Sequence, residues 1–152
     1  MNTTLNKIRE HQPCADGWKK LLANLGKTQA DDEPLDLITI LNSNGLDDAL
    51  WCLRAVDGHE KDMRLYAVWC ARQVQHLMTD PRSLAALDVA ERHAHGQATD
   101  DELAAAGSAA QAAWQAAAWA AAWGAAWGAA RDAQEKHLRS VLAECNPPAN
   151  NE

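Results

Sequence analysis

Phenylalanine is absent from this 152-residue chain and Tyr66 is its one tyrosine, so its aromatic content rests on seven tryptophans. Trp must therefore serve both as core filler and as any aromatic contact surface. Basic residues are also in short supply, with 14 Lys and Arg against 21 Asp and Glu and a net charge of −7. Residues 1–102 hold 17 of the acids and 11 of the bases, and so supply −6 of that charge. A surface of this sign repels phosphate backbones and argues against sequence-specific nucleic-acid binding. It suits a basic protein partner, and it equally serves plain solubility.

Several chemical signatures are missing. There is no Cys-x-x-Cys and no pair of histidines at i, i+4, so zinc-site spacings are lacking. His93 and His95 would point about 200° apart on a helix and could not chelate together, which leaves His76 and a cysteine without a ligand set. Helix-end or solvated histidines are expected instead, and no metal or other cofactor. No Gly-rich phosphate loop and no nucleophile elbow occur, and no histidine is placed by spacing beside Cys52 or Cys70. The expectation is a protein that is not an enzyme and has no catalytic residues. Cys14, Cys52, Cys70 and Cys145 are expected as free thiols in a reducing, cytoplasmic setting, because the polar stretch from Met1 to Lys7 does not read as a signal peptide.

Charge is also missing from the 28 residues Leu103–Ala130, which hold 17 Ala, four Trp, three Gly, two Gln, one Ser and one Leu. Alanine has the best helix propensity, and the four indoles and lack of Pro argue against disorder. One long helix is expected, with Trp119, Trp123 and Trp127 within about 80° of one another on one face and Leu138 and Val141 continuing the stripe. Gly107, Gly124 and Gly128 fall on the other half with Trp114. Three glycines within a helix suggest close approach by a neighbouring helix, or a homodimer through this Gly/Ala face. The tract, on the order of 40 Å long at 1.5 Å per residue, could cross a bilayer, but it lacks the Leu, Ile, Val and Phe that insertion needs. No membrane span is expected.

Helix punctuation runs along the rest of the chain. Thr99 and Glu102 form a capping box ahead of the Ala tract, whose helix should reach about Glu144 and stop at Pro147-Pro148. Asp80 caps a helix with Pro81 at its first position and Gly96 at its end, burying Leu84, Leu87, Ala90 and Ala94. Residues 59–78 carry a seam of Met63, Ala67, Cys70, Val74 and Leu77. Leu46, Ala49, Leu50, Leu53 and Val56 mark another helix, capped near Asp47 or Asp48. Short helices are expected over Thr4–Gln12 and from Asp16 to about Leu25. Leu35–Leu41 alternates enough for a strand but has no evident partner, so helix is preferred there. The fold class is thus all-α, a single-domain bundle of about six helices over residues 1–146 with a disordered tail at 147–152.

Asp31-Asp32-Glu33, Asp47-Asp48 and Asp100-Asp101-Glu102 all sit where helices are expected to begin, which the helix dipole favours. Asp47-Asp48 could also serve as an acidic recognition patch. Trp51 and Trp69 stand near Arg54 and Arg72, a pairing enriched at binding hot spots and also natural in a core. The motif Ala-[Leu/Val]-Trp-Cys-x-Arg-x-Val occurs at Ala49–Val56 and again at Ala67–Val74, an offset too short for a solenoid repeat.

The block Gly45-Leu46-Asp47-Asp48-Ala49-Leu50-Trp51-Cys52-Leu53-Arg54-Ala55-Val56 resembles a motif of a family of immunity proteins. These are all-α proteins of bacterial polymorphic-toxin loci, also frequent in phage and prophage. The likeness extends through Arg64–Ala67, Cys70-Ala71, Ala90–Arg92, Gly96–Leu103 and the Ala/Trp tract to Gln134, over roughly residues 38–142. It implies a non-enzymatic protein-binding inhibitor that neutralises a toxin domain stoichiometrically. For a phage copy it implies an anti-defence (anti-CRISPR-type) inhibitor of a bacterial defence component. Asp47, Asp48, Trp51, Arg54 and Trp114 are the candidate partner-binding residues, and the 37 N-terminal residues outside the likeness are where partner-specific features would sit.

Overall fold

The computed structural model describes residues 1–117 and 127–146; for 112–117 and 127–129 it describes only the helical course of the backbone. The described chain is mostly helical. By its contacts it divides into two compact units, Met1–His59 together with the chain from Leu138 onward, and Glu60–His137.

The first unit holds most of the buried apolar residues. Helices α1 (Leu5–Glu10) and α2 (Ala15–Leu25) are followed by α3 (Leu37–Asn44) and α4 (Leu46–Cys52). Thr4 caps α1 by accepting from the Lys7 amide, as its β-hydroxyl at that position allows. Helix α2 closes at Gly26 with paired bonds, Gly26 N–H to the Ala23 carbonyl and Lys27 N–H to that of Leu22. Leu5, Ile8, Leu21, Leu37, Ile40, Leu41, Leu46 and Ala49 are buried, and Leu138 and Leu142 of the last helix, α8 (Trp127–Cys145), join the same unit. Leu138 and Leu142 are four apart, so one helical face supplies both.

The stretch Leu35–Leu41 resolves into two structures. Leu37–Asn44 is helix, as preferred, while Leu35–Asp36 (β2) pairs antiparallel with Asn2–Thr3 (β1) in the register Asn2 to Asp36 and Thr3 to Leu35. The strand partner is not recognisable in the sequence because Met1–Thr3 is too short to alternate. Tertiary bonds hold it: the Met1 carbonyl accepts from the Leu37 amide, and the Met1 ammonium donates to Asn146 Oδ1 at 2.8 Å. Asn146 Nδ2 in turn donates to Asp36 Oδ2, and buried Thr3 donates through Oγ1 to the Ala55 carbonyl.

The second unit contains α5 (Glu60–Gln73), α6 (Pro81–Ala94), α7 (Asp100–Ala117) and α8 up to His137. Helix α6 packs along both α5 and α7. Asp80 caps α6 with Pro81 at its first position. The capping box forms as expected: Thr99 N–H donates to Glu102 Oε2 at 2.7 Å and Glu102 N–H to Thr99 Oγ1 at 3.2 Å. The expected seam of α5 is displaced. Ala67 is exposed, Leu77 is 46% exposed, and Tyr66 and Val68 are the buried positions. The helix ends at Gln73 and the chain tightens into a 3₁₀ turn over Gln75–Leu77, so the 3.6-residue period no longer carries to Leu77. Tyr66 takes the inward position, with its hydroxyl donating to the Gln134 carbonyl at 3.2 Å.

The Ala/Trp tract is described as α7 up to Ala117 and α8 from Trp127; Trp119, Trp123 and Gly124, like the tail at 147–152, lie outside the described residues. At Gly107 a Cβ would meet nothing within 4 Å, so no described helix approaches closely there. No described helix is long and apolar enough to cross a membrane.

Candidate functional site

The turn from α3 into α4 is made by Gly45, at φ 95° and ψ −179°, a conformation reserved for glycine. Gly45 occupies the capping position of α4 and no side chain caps that helix. Asp47 and Asp48 are therefore not caps, as expected from sequence, but first-turn residues. They still meet the positive end of the helix dipole.

Asp48 is half-buried and bound to its own turn. Its Oδ2 accepts from Asn44 Nδ2 at 2.7 Å, and the same amide group donates to the Gly17 carbonyl at 2.9 Å. Ser43 Oγ donates to Asn44 Oδ1 at 2.7 Å, fixing which way the Asn44 amide faces. This brace ties the start of α4 to the first turn of α2. Gly17 is what permits the approach, since a Cβ there would lie 2.8 Å from Asp48 Oδ2 and 3.0 Å from Cys14 Sγ. Cys14 is itself the cap of α2, its Sγ accepting from the Gly17 amide at 3.3 Å.

Between these elements lies a pocket of about 90 Å³. Ile8, Leu21, Ile40 and Cys52 line it as buried side chains, with Trp18 and Trp51 half-buried beside them and Asp48 as its one charged group. Arg54 stacks its guanidinium 4.4 Å from the centre of the Trp51 ring and donates through Nε to the Trp51 carbonyl at 2.8 Å. That geometry matches a cation–π contact on an exposed residue. Burial pushes the Cys52 thiol up to about 12, and the neighbouring Asp48 charge pushes the same way. It stays protonated at neutral pH, the wrong form for a nucleophile.

Of the five residues singled out in the sequence, Asp48 and Trp51 line this pocket, Arg54 covers the Trp51 ring, and Asp47 is exposed on the same first turn. Trp114 belongs to α7 in the second unit, and its side chain lies outside what the structure describes. Trp18, Cys14, Gly17 and Asn44 are not among the five. Trp18 shares a helix pattern with Leu21, Leu22 and Leu25 and reads simply as core. No motif in the sequence marks these four as parts of one site.

The two Trp-Cys-x-Arg motifs do different work. Arg72 reaches Asp88 at 2.6 Å and Glu91 at 2.8 Å on α6 instead of folding onto Trp69. Trp69 stacks on His137, 4.0 Å between ring centres, with Tyr66 on the same imidazole at 5.8 Å. Asp31 and Glu33 precede β2 rather than a helix, and both bind Lys27, which lowers the Asp31 carboxyl and raises the Lys27 ammonium through their hydrogen bonds. Among the described residues His76, His93 and His95 do not share a cluster of metal-ligating groups. His93 Nε2 lies 2.7 Å from Asp100 Oδ1. All four cysteines are free thiols.

No family model, curated protein or solved structure matches this chain.

Proposed function

We propose that this chain is a non-enzymatic inhibitor that binds one protein partner stoichiometrically, in the manner of an immunity protein, through the α2–α4 face. One observation carries most of the weight: a Trp–Arg pair flanks a small, largely apolar pocket with a single acidic wall. This pocket, at about 90 Å³, is below the roughly 300–1,000 Å³ of small-molecule sites. Concavities of that size, about 450 Å³ beside Arg9 and Trp18 and about 310 Å³ beside Asp88 and Arg92, are lined as much by polar as by apolar surface. Aromatic and arginine side chains around a small desolvated pocket are the composition of interface hot spots. The acidic character of the chain adds electrostatic steering toward a basic partner. The protonated Cys52 thiol argues against nucleophilic chemistry at that residue. About half the pocket is built from residues before position 38, the region expected to vary with the partner.

The test is co-expression with a toxin domain where a neighbouring gene encodes one, or with a defence complex where the neighbouring genes are phage early genes. Protection should saturate near an integer molar ratio, need no metal or nucleotide, and fail with Trp51→Ala. Protection that persists at a far substoichiometric dose would mean turnover and would overturn the proposal.

A further inference from the structure

The pocket has a single charged wall. Asp48 accepts a hydrogen bond from Asn44, and a carboxylate has room for about four. Among the described residues no cation lies within ion-pair distance of it. Arg54 is stacked on the Trp51 ring, and the Lys20 ammonium reaches the Asn44 carbonyl at 3.4 Å. A half-buried carboxylate with only a neutral amide donor against it can still take a charge-assisted hydrogen bond from an incoming cation. The remaining walls are apolar or aromatic, and the volume suits a short file of methylenes rather than a ring system.

Resting on the protein-binding function proposed above, we infer that the pocket receives one lysine or arginine side chain of the bound protein. Its methylene stem lies against Trp18, Leu21 and Ile40, and its charge meets Asp48 as a charge-assisted hydrogen bond. The half-buried indoles of Trp18 and Trp51 add cation–π attraction. The overall charge of −7 points to the same kind of partner. Gly17 then has a functional reason as well as a packing one, because any side chain there would displace the carboxylate that receives the cation.

The experiment needs no partner. The full chain, ¹⁵N-labelled, is titrated at constant ionic strength with n-butylguanidinium chloride and, separately, with n-butanol as the neutral stem. The indole N–H signals of Trp18 and Trp51 are assigned with Trp18→Phe and Trp51→Phe. Saturable shifts of both signals by n-butylguanidinium are expected, with about tenfold weaker binding in Asp48→Asn. Asp47→Asn, the same charge change on the exposed neighbour, should bind as the parent does. Equal shifts by n-butanol, no saturable shift with either probe, or equal weakening by Asp47→Asn would each overturn the inference. The two-probe comparison in the unmodified chain stands even if Asp48→Asn fails to fold. Because the titration involves no partner, it can fail while neutralisation succeeds, and the reverse.

Discussion

Gly17→Ala should change the sign of its effect depending on what occupies position 48. Two opposing terms act at this site. Alanine is favoured over glycine within a helix by about 1 kcal/mol. Against that, the new Cβ would sit 2.8 Å from Asp48 Oδ2, a separation that forces the carboxylate to move. Moving it breaks the bond from Asn44 Nδ2, and a hydrogen bond to a charged group contributes about 1.5–3 kcal/mol. Net destabilisation of about 0.5–2 kcal/mol follows in the parent chain. With Asp48→Ala already present the close contact is gone, and only Cys14 Sγ, an exposed side chain at 3.0 Å, has to give by a few tenths of an ångström. Gly17→Ala should then stabilise, by up to about 1 kcal/mol. The coupling between the two sites is therefore about 1.5–3 kcal/mol, within the range for residues in contact. Urea denaturation followed by far-UV circular dichroism on the four members of the cycle measures it. Equal effects of Gly17→Ala in both backgrounds would refute the reasoning, because Asp48 would then not be what holds position 17 to glycine.

Leu138→Ala removes a side chain that is 2% exposed and should cost about 2–5 kcal/mol, whereas Leu77→Ala, at a 46% exposed position, should stay within about 0.5 kcal/mol; comparable losses in urea denaturation would contradict the assigned burial. Asp80 has its carboxyl held down at about 2 by hydrogen bonds from the Arg82 side chain and amide, so its ionised form stabilises the folded chain above the ordinary carboxylate range and that contribution is lost as pH falls toward 2. The melting-temperature advantage of the parent over Asp80→Asn should accordingly shrink between about pH 4 and about pH 2, and a constant difference across that window would count against the pairing. At neutral pH iodoacetamide should label exposed Cys14 well before Cys52, whose thiol is buried and raised to about 12; peptide mass spectrometry showing the opposite order would remove the case for an inert Cys52.

Much of the helical layout is legible in the residues themselves. Thr99 with Glu102, Asp80 with Pro81, and the glycines at 26 and 96 act locally, through bonds spanning three to six residues, and such signals survive in a linear string. The buried face of α5 lies about one position from the seam that periodicity predicts, because Tyr66 finds its hydrogen-bond acceptor at Gln134, 68 residues away. The β1–β2 pair is hidden for a related reason. Two residues are too few to show a period, and the bonds that hold them come from Leu37 and Asn146. The acids at 47 and 48 stand out in the sequence, but periodicity cannot say that Gly45 takes the capping position and leaves Asp48 facing Asn44 and Gly17.

By itself the sequence determined that this is a mostly helical chain, because propensity, capping and apolar periodicity are short-range properties that each helix carries within its own residues. It also determined the negative charge and brought Asp48, Trp51 and Arg54 close together, since three and six positions along one helix and its following turn leave them near neighbours. Only the tertiary structure decided that Trp18 and Gly17 belong to the same site. Their meeting with Asp48 depends on how α2 is laid against the start of α4, and that follows from packing around Leu21 and Ile40 and from the Asn44 brace. Nothing within α2 alone encodes which helix will stand opposite it.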